Sequence, residues 1–343
     1  MNIVITGTAG YIGGMLADQY SQQDDIECVI CIDKDPQPDW LQNNNKLHWI
    51  QAHLLNDEWE HELSQWDNVQ VVIHCAWQIR DWYGKRSLVR EWNIESARRV
   101  FDYVFNNPSV QCMVYFSSIA QFGAVRSNTV ERRFTEESPT RLTGYCYADD
   151  KYEVDQLLQE MYVQSGSHIP VTVIKPSTVT GPRGRVGVGK FSLAAALSSD
   201  ADKSQIPWII RLMLSFMPIV GRWTRQFVHE DDITDVVSIG AFTSRPEGIQ
   251  EYIVSPHDII KGRDMSRMMG KIGVWVPGWA AACVFWIAWH TTRGRVPTAP
   301  HVWRYFAYPI CVDGSKTERE LRHEYRYTSQ QAISELQGRY APK

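Results

Sequence analysis

Five short apolar runs rich in β-branched residues punctuate residues 1–175: NIVITG, ECVICID, VQVVIHCA, QCMVYFSS and PVTVIKP. Between them lie longer stretches with helical patterning, among them GYIGGMLADQYSQ, EWNIESARRVFDYVFNN and YADDKYEVDQLLQEMYVQSG. A strand with no polar face has nothing to show to water, so such runs must be covered on both sides. Alternated with helices, they predict a parallel sheet sandwiched between helical layers. After Gly181-Pro182 the rhythm gives way to loop-rich, aromatic stretches, with further helix starts at HEDDITDVVSIGAF and at TSQQAISELQ, the latter N-capped by Thr328. Residues 1–177 with 227–254 are expected to form the sheet domain, and 178–226 with 255–343 mainly a smaller second lobe.

The loop after the first run, VITGTAGYIGG, carries Gly7, Gly10 and Gly13 in a G-x-x-G-x-x-G spacing. Placed between a strand and a helix, this pattern lets the backbone approach a diphosphate at the helix N-terminus. Asp33 closes the second run, 20 residues after Gly13, where a carboxylate accepts hydrogen bonds from an adenosine ribose and disfavours a 2′-phosphate. NAD is therefore expected over NADP, although Lys34 follows and could soften the preference. A net charge of −4, with no basic tail or Lys/Arg cluster, excludes a nucleic-acid binder. Seven scattered cysteines suit reduced thiols in a cytoplasm; Cys28 and Cys31 form a CxxC, but on a strand they point to opposite faces. MNIVITGTAG starts with a strand and shows no signal-peptide pattern. The uncharged stretch Ile272–Trp289 reaches the length of a membrane-span candidate. Pro277-Gly278 interrupts it, which favours a buried or interfacial helix and leaves room for peripheral membrane contact through 272–289.

Of the 15 tyrosines, only Tyr147 has a lysine four residues on, Lys151, which puts phenol and ammonium on one helix face. A lysine charge at ~4 Å and an effective dielectric of ~20 is worth roughly 4 kcal/mol, about 3 pKa units at most. The pair can thus serve as a general acid/base. With TGTAGYIG, HCAW, YFSSIAQFG, KPSTVTGPRG and RQFVHEDDITDVV, the chain resembles the extended short-chain dehydrogenase/reductase family, which includes the NAD-dependent epimerase/dehydratase group. The resemblance covers nearly the whole chain. It implies a Rossmann-type doubly wound parallel sheet with a smaller C-terminal substrate lobe.

It also implies site residues. Ser118, Tyr147 and Lys151 match the catalytic hydroxyl and the YxxxK pair. Gly7, Gly10, Tyr11, Ile12, Gly13, Asp33, Leu54, Cys75, Ala76, Asn93, Tyr147, Lys151, Lys175 and Pro176 are expected at the cofactor, with Lys151 on the nicotinamide ribose. Departures are visible. Asp150 stands before the lysine where a small or hydroxyl residue is usual and could offset the Lys151 field. His53 replaces an aspartate expected before the third strand, near the adenine. HEDD, His229–Asp232, reads as a helix start, and no metal is expected. Ile119-Ala120 stand where family dehydratases carry an Asp-Glu pair, which sets elimination aside.

The fold alone does not choose a chemistry. Arg225 stands where a sugar-nucleotide arginine often lies, but a second such arginine is not apparent. Bulky apolar residues between Trp208 and Trp223 and between Trp275 and Trp289 make either the lobe's core or a hydrophobic substrate pocket. The reading that follows is an NAD-dependent oxidoreductase interconverting a secondary alcohol and a ketone on a largely apolar small molecule. The alternatives are a nucleotide-sugar epimerase and a non-catalytic NAD-binding assembly subunit. Family members often dimerise through two helices, here SARRVFDYVF and EVDQLLQEMYV, so a homodimer is expected, though these faces could equally pack on the sheet.

Overall fold

The computed structural model describes residues 1–340 except 43, 67, 185–215, 245, 246 and 336. Its centre is a seven-stranded sheet in the order β11-β6-β5-β4-β1-β2-β3, every neighbouring pair parallel. The five apolar runs supply β1 (Asn2–Thr6), β2 (Cys28–Asp33), β4 (Val69–His74), β5 (Cys112–Phe116) and β6 (Val171–Pro176). β3 (Leu47–Gln51) takes one edge and β11 (Ile249–Val254) the other. This is the doubly wound Rossmann-type arrangement, with the chain reversing direction between β1 and β4.

The two faces of the sheet are separate cores. One packs Val4, Ile30 and Val72 against Val100, Phe101, Val154 and Leu158, which come from α3 (Arg86–Asn106) and α4 (Cys146–Ser165). The other packs Ile3, Ile5 and Val71 against Leu16 and Tyr20 of α1 (Tyr11–Ser21) and Ile233 and Val237 of α5 (Glu230–Ser238). Cys28 belongs to the first core and Cys31 to the second, so the CxxC is split by the sheet. Several apolar residues of α3 and α4 pack into this core, while Val163 of α4 is exposed; the groove outside is lined by Arg90, Glu95, Arg98, Glu153 and Glu160 together with Ile94 and Leu157.

The remaining elements form small pairings at the carboxyl side of the sheet. After α2 (Glu58–Leu63) and the short β7 (Thr178–Thr180), β8 (Phe216–Val220) pairs in parallel with β13 (Ile272–Val276), and β9 (Thr224–Arg225) pairs antiparallel with β12 (Ile260–Lys261). β10 (Phe227–His229) pairs with β7 and leads into α5. Between β12 and β13 lies α6 (Gly262–Met268). Pro277 ends β13 and N-caps α7 (Gly278–Thr291), so the uncharged stretch is a strand and a helix. No helix among the described residues is long and apolar enough to cross a membrane. α8 (Val302–Tyr305) and α9 (Ser315–Glu320) follow. α10 (Ser329–Ser334) starts with a full capping box: Gln331 N–H donates to Thr328 Oγ1 at 3.2 Å, and Thr328 N–H donates to Gln331 Oε1 at 2.9 Å.

Candidate active site

The loop from β1 to α1 is built by close approach. Gly7 has φ +77°, and a Cβ there would lie 2.6 Å from the Ala76 nitrogen; at Gly13 it would lie 2.4 Å from the Gly7 carbonyl oxygen. No other residue type fits either place. Gly10 caps α1 without any side-chain acceptor, which leaves the first-turn amides of Tyr11, Ile12 and Gly13 for an anion. The Asp33 carboxylate accepts from Ala9 N–H at 2.9 Å and Asp35 N–H at 3.0 Å, so it is fixed beside the loop. Burial raises its pKa, and those two bonds oppose the shift. Lys34 is tied to Asp35 at 2.9 Å, which occupies the cation that could have softened the preference set by Asp33.

Loop and carboxylate open on a cavity of about 340 Å³. Gly7, Gly10, Tyr11, Ile12, Gly13, Asp33, Leu54, Cys75, Ala76 and Asn93 all line it. An uncapped helix end, a glycine-rich loop and a fixed carboxylate in one cleft fit a dinucleotide. His53 also lines the cavity; it follows β3 rather than preceding it, stacks edge-on against Trp92 at 4.7 Å, and has its pKa lowered by burial and by Lys34. Tyr147, Lys151, Lys175 and Pro176, expected at the cofactor, do not line the cavity. Lys175 is instead pulled into ion pairs with Asp155, at 3.3 Å, and Glu251. Pro176, on the same strand, is the last residue of β6 and pairs with Val254 of β11.

The catalytic candidates meet where β5 ends and α4 begins. Ser118 N-caps the short helical turn 119–122, its Oγ accepting from Ala120 N–H at 3.1 Å, and its hydroxyl hydrogen-bonds the Tyr147 phenol. Burial holds the phenol above the usual range, and the Ser118 bond is what lowers it. The expected pull of Lys151 on Tyr147 is not met. The Lys151 ammonium donates to the Phe116 carbonyl and lies 3.4 Å from the centroid of the Trp77 ring, with Tyr115 on another side at 4.9 Å. Burial pushes its pKa down to about 7, opposed chiefly by Asp155. A charge that is itself suppressed and covered by an indole has little left to lend a neighbour.

Two buried carboxylates organise this region. Asp150 accepts a bidentate pair from Arg86, Nη1 at 2.8 Å, and a bond from Asn93 Nδ2 at 3.0 Å. Asn93 also accepts from Gln78 N–H at 2.9 Å, clamping the turn after β4 to α4. Asp150 is thus committed to Arg86, which sequence reasoning overlooked. Asp155 accepts from Ser117 Oγ at 2.8 Å and Gln121 Nε2 at 2.7 Å while pairing with Lys175. The HEDD residues are structural: Glu230 accepts from Tyr11 and from the amides of Arg183 and Gly184, and Asp232 from Arg326 N–H at 3.0 Å. Trp77 was also missed; its signal was a bulky residue in HCAW where small ones are usual.

On the far side of Tyr147 the rings of Tyr145, at 5.8 Å, and Tyr305, at 4.6 Å from Tyr145, lead to Arg225. The Arg225 guanidinium donates to the carbonyls of Thr224 at 3.0 Å and Tyr308 at 3.4 Å. Among the described residues it has no carboxylate partner, and burial pushes its pKa down to about 10. The apolar pocket expected from the tryptophan-rich segments is not seen: Trp275, Trp279 and Trp286 are exposed, and 208–215 lie outside the described residues.

A family model described as the NAD dependent epimerase/dehydratase family matches residues 3–243. An uncharacterized protein of Mycobacterium tuberculosis is 23% identical over 346 residues, covering 97% of this chain and 82% of that protein. The N-acetyl-alpha-D-glucosaminyl-diphospho-ditrans,octacis-undecaprenol 4-epimerase of Escherichia coli O157:H7 is 25% identical over 134 residues, 36% of this chain and 38% of that protein. The UDP-glucose 4-epimerase of Thermotoga maritima, solved with UDP-glucose, superposes with a TM-score of 0.69 at 16% identity, covering 97% of this chain and 96% of that one.

Proposed function

The chain belongs to the NAD dependent epimerase/dehydratase family, and from that premise we propose that it is an epimerase of a sugar carried on a diphosphate. NAD is its cofactor, and bound NAD supplies the acceptor and donor of a hydride at a sugar carbinol. The chain's own residues handle position and protons. The amides after Gly10 would hold the cofactor's diphosphate and Asp33 its adenosine ribose, while Leu54, Cys75, Ala76 and Asn93 wall the cleft. Tyr147 Oη takes the proton of the reacting hydroxyl and returns it to the oxygen of the epimer; Ser118 hydrogen-bonds the same oxygen and fixes its direction. Burial favours the phenol of Tyr147, the form that donates in the second half; to take the first proton it must have released its own and act as the phenolate, toward which the Ser118 hydrogen bond shifts it.

The observation that carries the reading is Arg225, a half-buried cation whose pKa desolvation lowers and which has no carboxylate partner among the described residues, two aromatic rings from Tyr147. An unpaired, partly desolvated charge is expensive, and an anionic substrate group offsets it. A diphosphate-linked sugar brings such a group; a simple apolar alcohol does not. Ile119 and Ala120, both buried, offer no acid/base pair for elimination, which favours epimerisation over dehydration. The carrier is a nucleotide or, as a second reading supported by the exposed tryptophans of β13 and α7, a polyprenol like that in the name of the Escherichia coli relative. A homodimer is part of the proposal and is read by light scattering. The function is tested by incubating the protein and NAD with UDP-sugars and with a polyprenyl-diphosphate sugar. The reading expects a C4 epimer by chromatography with no net NADH absorbance. Steady NADH formation from plain secondary alcohols, without epimer, overturns it in favour of the oxidoreductase.

A further inference from the structure

The second lobe carries a surface that the active site does not use. In β13, Ile272, Val274 and Trp275 are exposed, and in α7 so are Trp279, Val284, Trp286 and Ile287. The tryptophans are the extreme cases, with 67% of Trp275, 73% of Trp279 and 63% of Trp286 accessible. Of the α7 residues only Ala281 and Trp289 are buried. Its inner side rests on the segment around α8, where Phe285 meets Phe306 at 5.6 Å, and on Tyr83, which meets Trp289 at 5.6 Å. Its outer side carries no charge at all. Large exposed apolar residues gathered in two consecutive elements mark a candidate interaction site on a folded protein.

We propose that β13 and α7 dock on the headgroup layer of an anionic lipid bilayer. Length speaks for lying on the membrane rather than crossing it: 14 residues make a helix of about 21 Å, short of a hydrocarbon core of about 30 Å. Residue type agrees, since tryptophan pairs a large apolar ring with a polar N–H and concentrates where membrane meets water. Charge chooses the partner. From Lys261 to Arg295 the chain places six basic residues, Lys261, Arg263, Arg267, Lys271, Arg293 and Arg295, against a single acidic one, Asp264, in a protein whose net charge is −4. Lys271 adjoins β13, Arg293 and Arg295 follow α7, and α6, which carries Arg263 and Arg267 ahead of Lys271, packs on β13. All but Lys271 are exposed. An apolar face rimmed by cations matches anionic headgroups over acyl chains. It opposes the other ready occupant, a second copy, because a two-fold contact would bring two such rims together.

The docking stands apart from the sugar chemistry, since it is read without substrate. Full-length protein is floated with vesicles of phosphatidylcholine alone and with vesicles containing about a third phosphatidylglycerol. Wild type is expected to float with the anionic vesicles and far less with the neutral ones. Trp279→Glu/Trp286→Glu alters exposed side chains only and should weaken binding about ten-fold or more; Arg293→Glu/Arg295→Glu should do likewise and make the residual binding insensitive to salt. Circular dichroism and NAD binding confirm that the variants are folded. Wild type remaining unbound to anionic vesicles overturns the proposal. So does unchanged flotation of both variants, and so does a wild-type dimer that the tryptophan variant converts to monomer without changing flotation.

Discussion

Lys151→Met should make the folded protein more stable. The ammonium sits in a buried niche that pushes its pKa down to about 7, against ~10.4 for a free lysine, a difference worth about 5 kcal/mol. The sign follows from proton occupancy. Below pH 7 both folded and unfolded chains hold the proton, and the folded state bears the full cost. Between pH 7 and ~10.4 the unfolded chain holds a proton that the folded one has released, so wild-type stability from this group rises with pH. Methionine removes the cost but leaves the Phe116 carbonyl without its donor, a loss of about 1–3 kcal/mol. The net gain is then about 2–4 kcal/mol at pH 6, shrinking by about 2–3 kcal/mol at pH 9. Parallel urea unfolding of both proteins at the two pH values, without added cofactor, measures the difference. A variant less stable than wild type at pH 6, or a difference that does not change with pH, refutes the reasoning.

Tyr147→Phe should leave NAD affinity unchanged by calorimetry and lower epimer formation by orders of magnitude, because only the proton-carrying oxygen is removed. Asp33 should make NAD bind more tightly than NADP, and Asp33→Asn should narrow the gap by weakening NAD; equal affinities in wild type would show that a cation has overridden the carboxylate. Arg86→Met strips the bidentate partner from the wholly buried Asp150, so it should destabilise the fold by about 3–5 kcal/mol at pH 7 in thermal or urea unfolding. The vesicle experiment described above completes the set.

Much of the sheet was legible because its central strands are continuously apolar, a pattern few other structures share. β3 was not among the runs: its sequence LHWIQ buries only Ile50 fully, since an edge strand with one side near solvent tolerates polar residues. The helix α3 begins at Arg86, ahead of the stretch that showed apolar periodicity; its first turn is held by Arg86 pairing with Asp150 and by buried Val89. In the site, the cofactor loop was readable because glycine spacing encodes backbone approach directly. Orientation was not. Spacing put Lys151 on the face of Tyr147, but where its ammonium points depends on Trp77, distant in sequence, and on a backbone carbonyl. The tryptophans of β13 and α7 were visible as composition, yet composition cannot distinguish a pocket wall from an outer surface.

The polar chain that runs from Ser117 and Gln121 through Asp155 and Lys175 to Glu251 joins β5, α4, β6 and β11 inside an otherwise apolar layer. Its members satisfy one another, so detaching β11 or α4 strands a charge in the interior. These segments therefore open to amide exchange together or not at all, as one cooperative unit. The far edge at β3, with no such buried ions, is free to fray alone. The protein holds its catalytic end to the unfolding energy of the whole and concedes local motion only on the opposite margin.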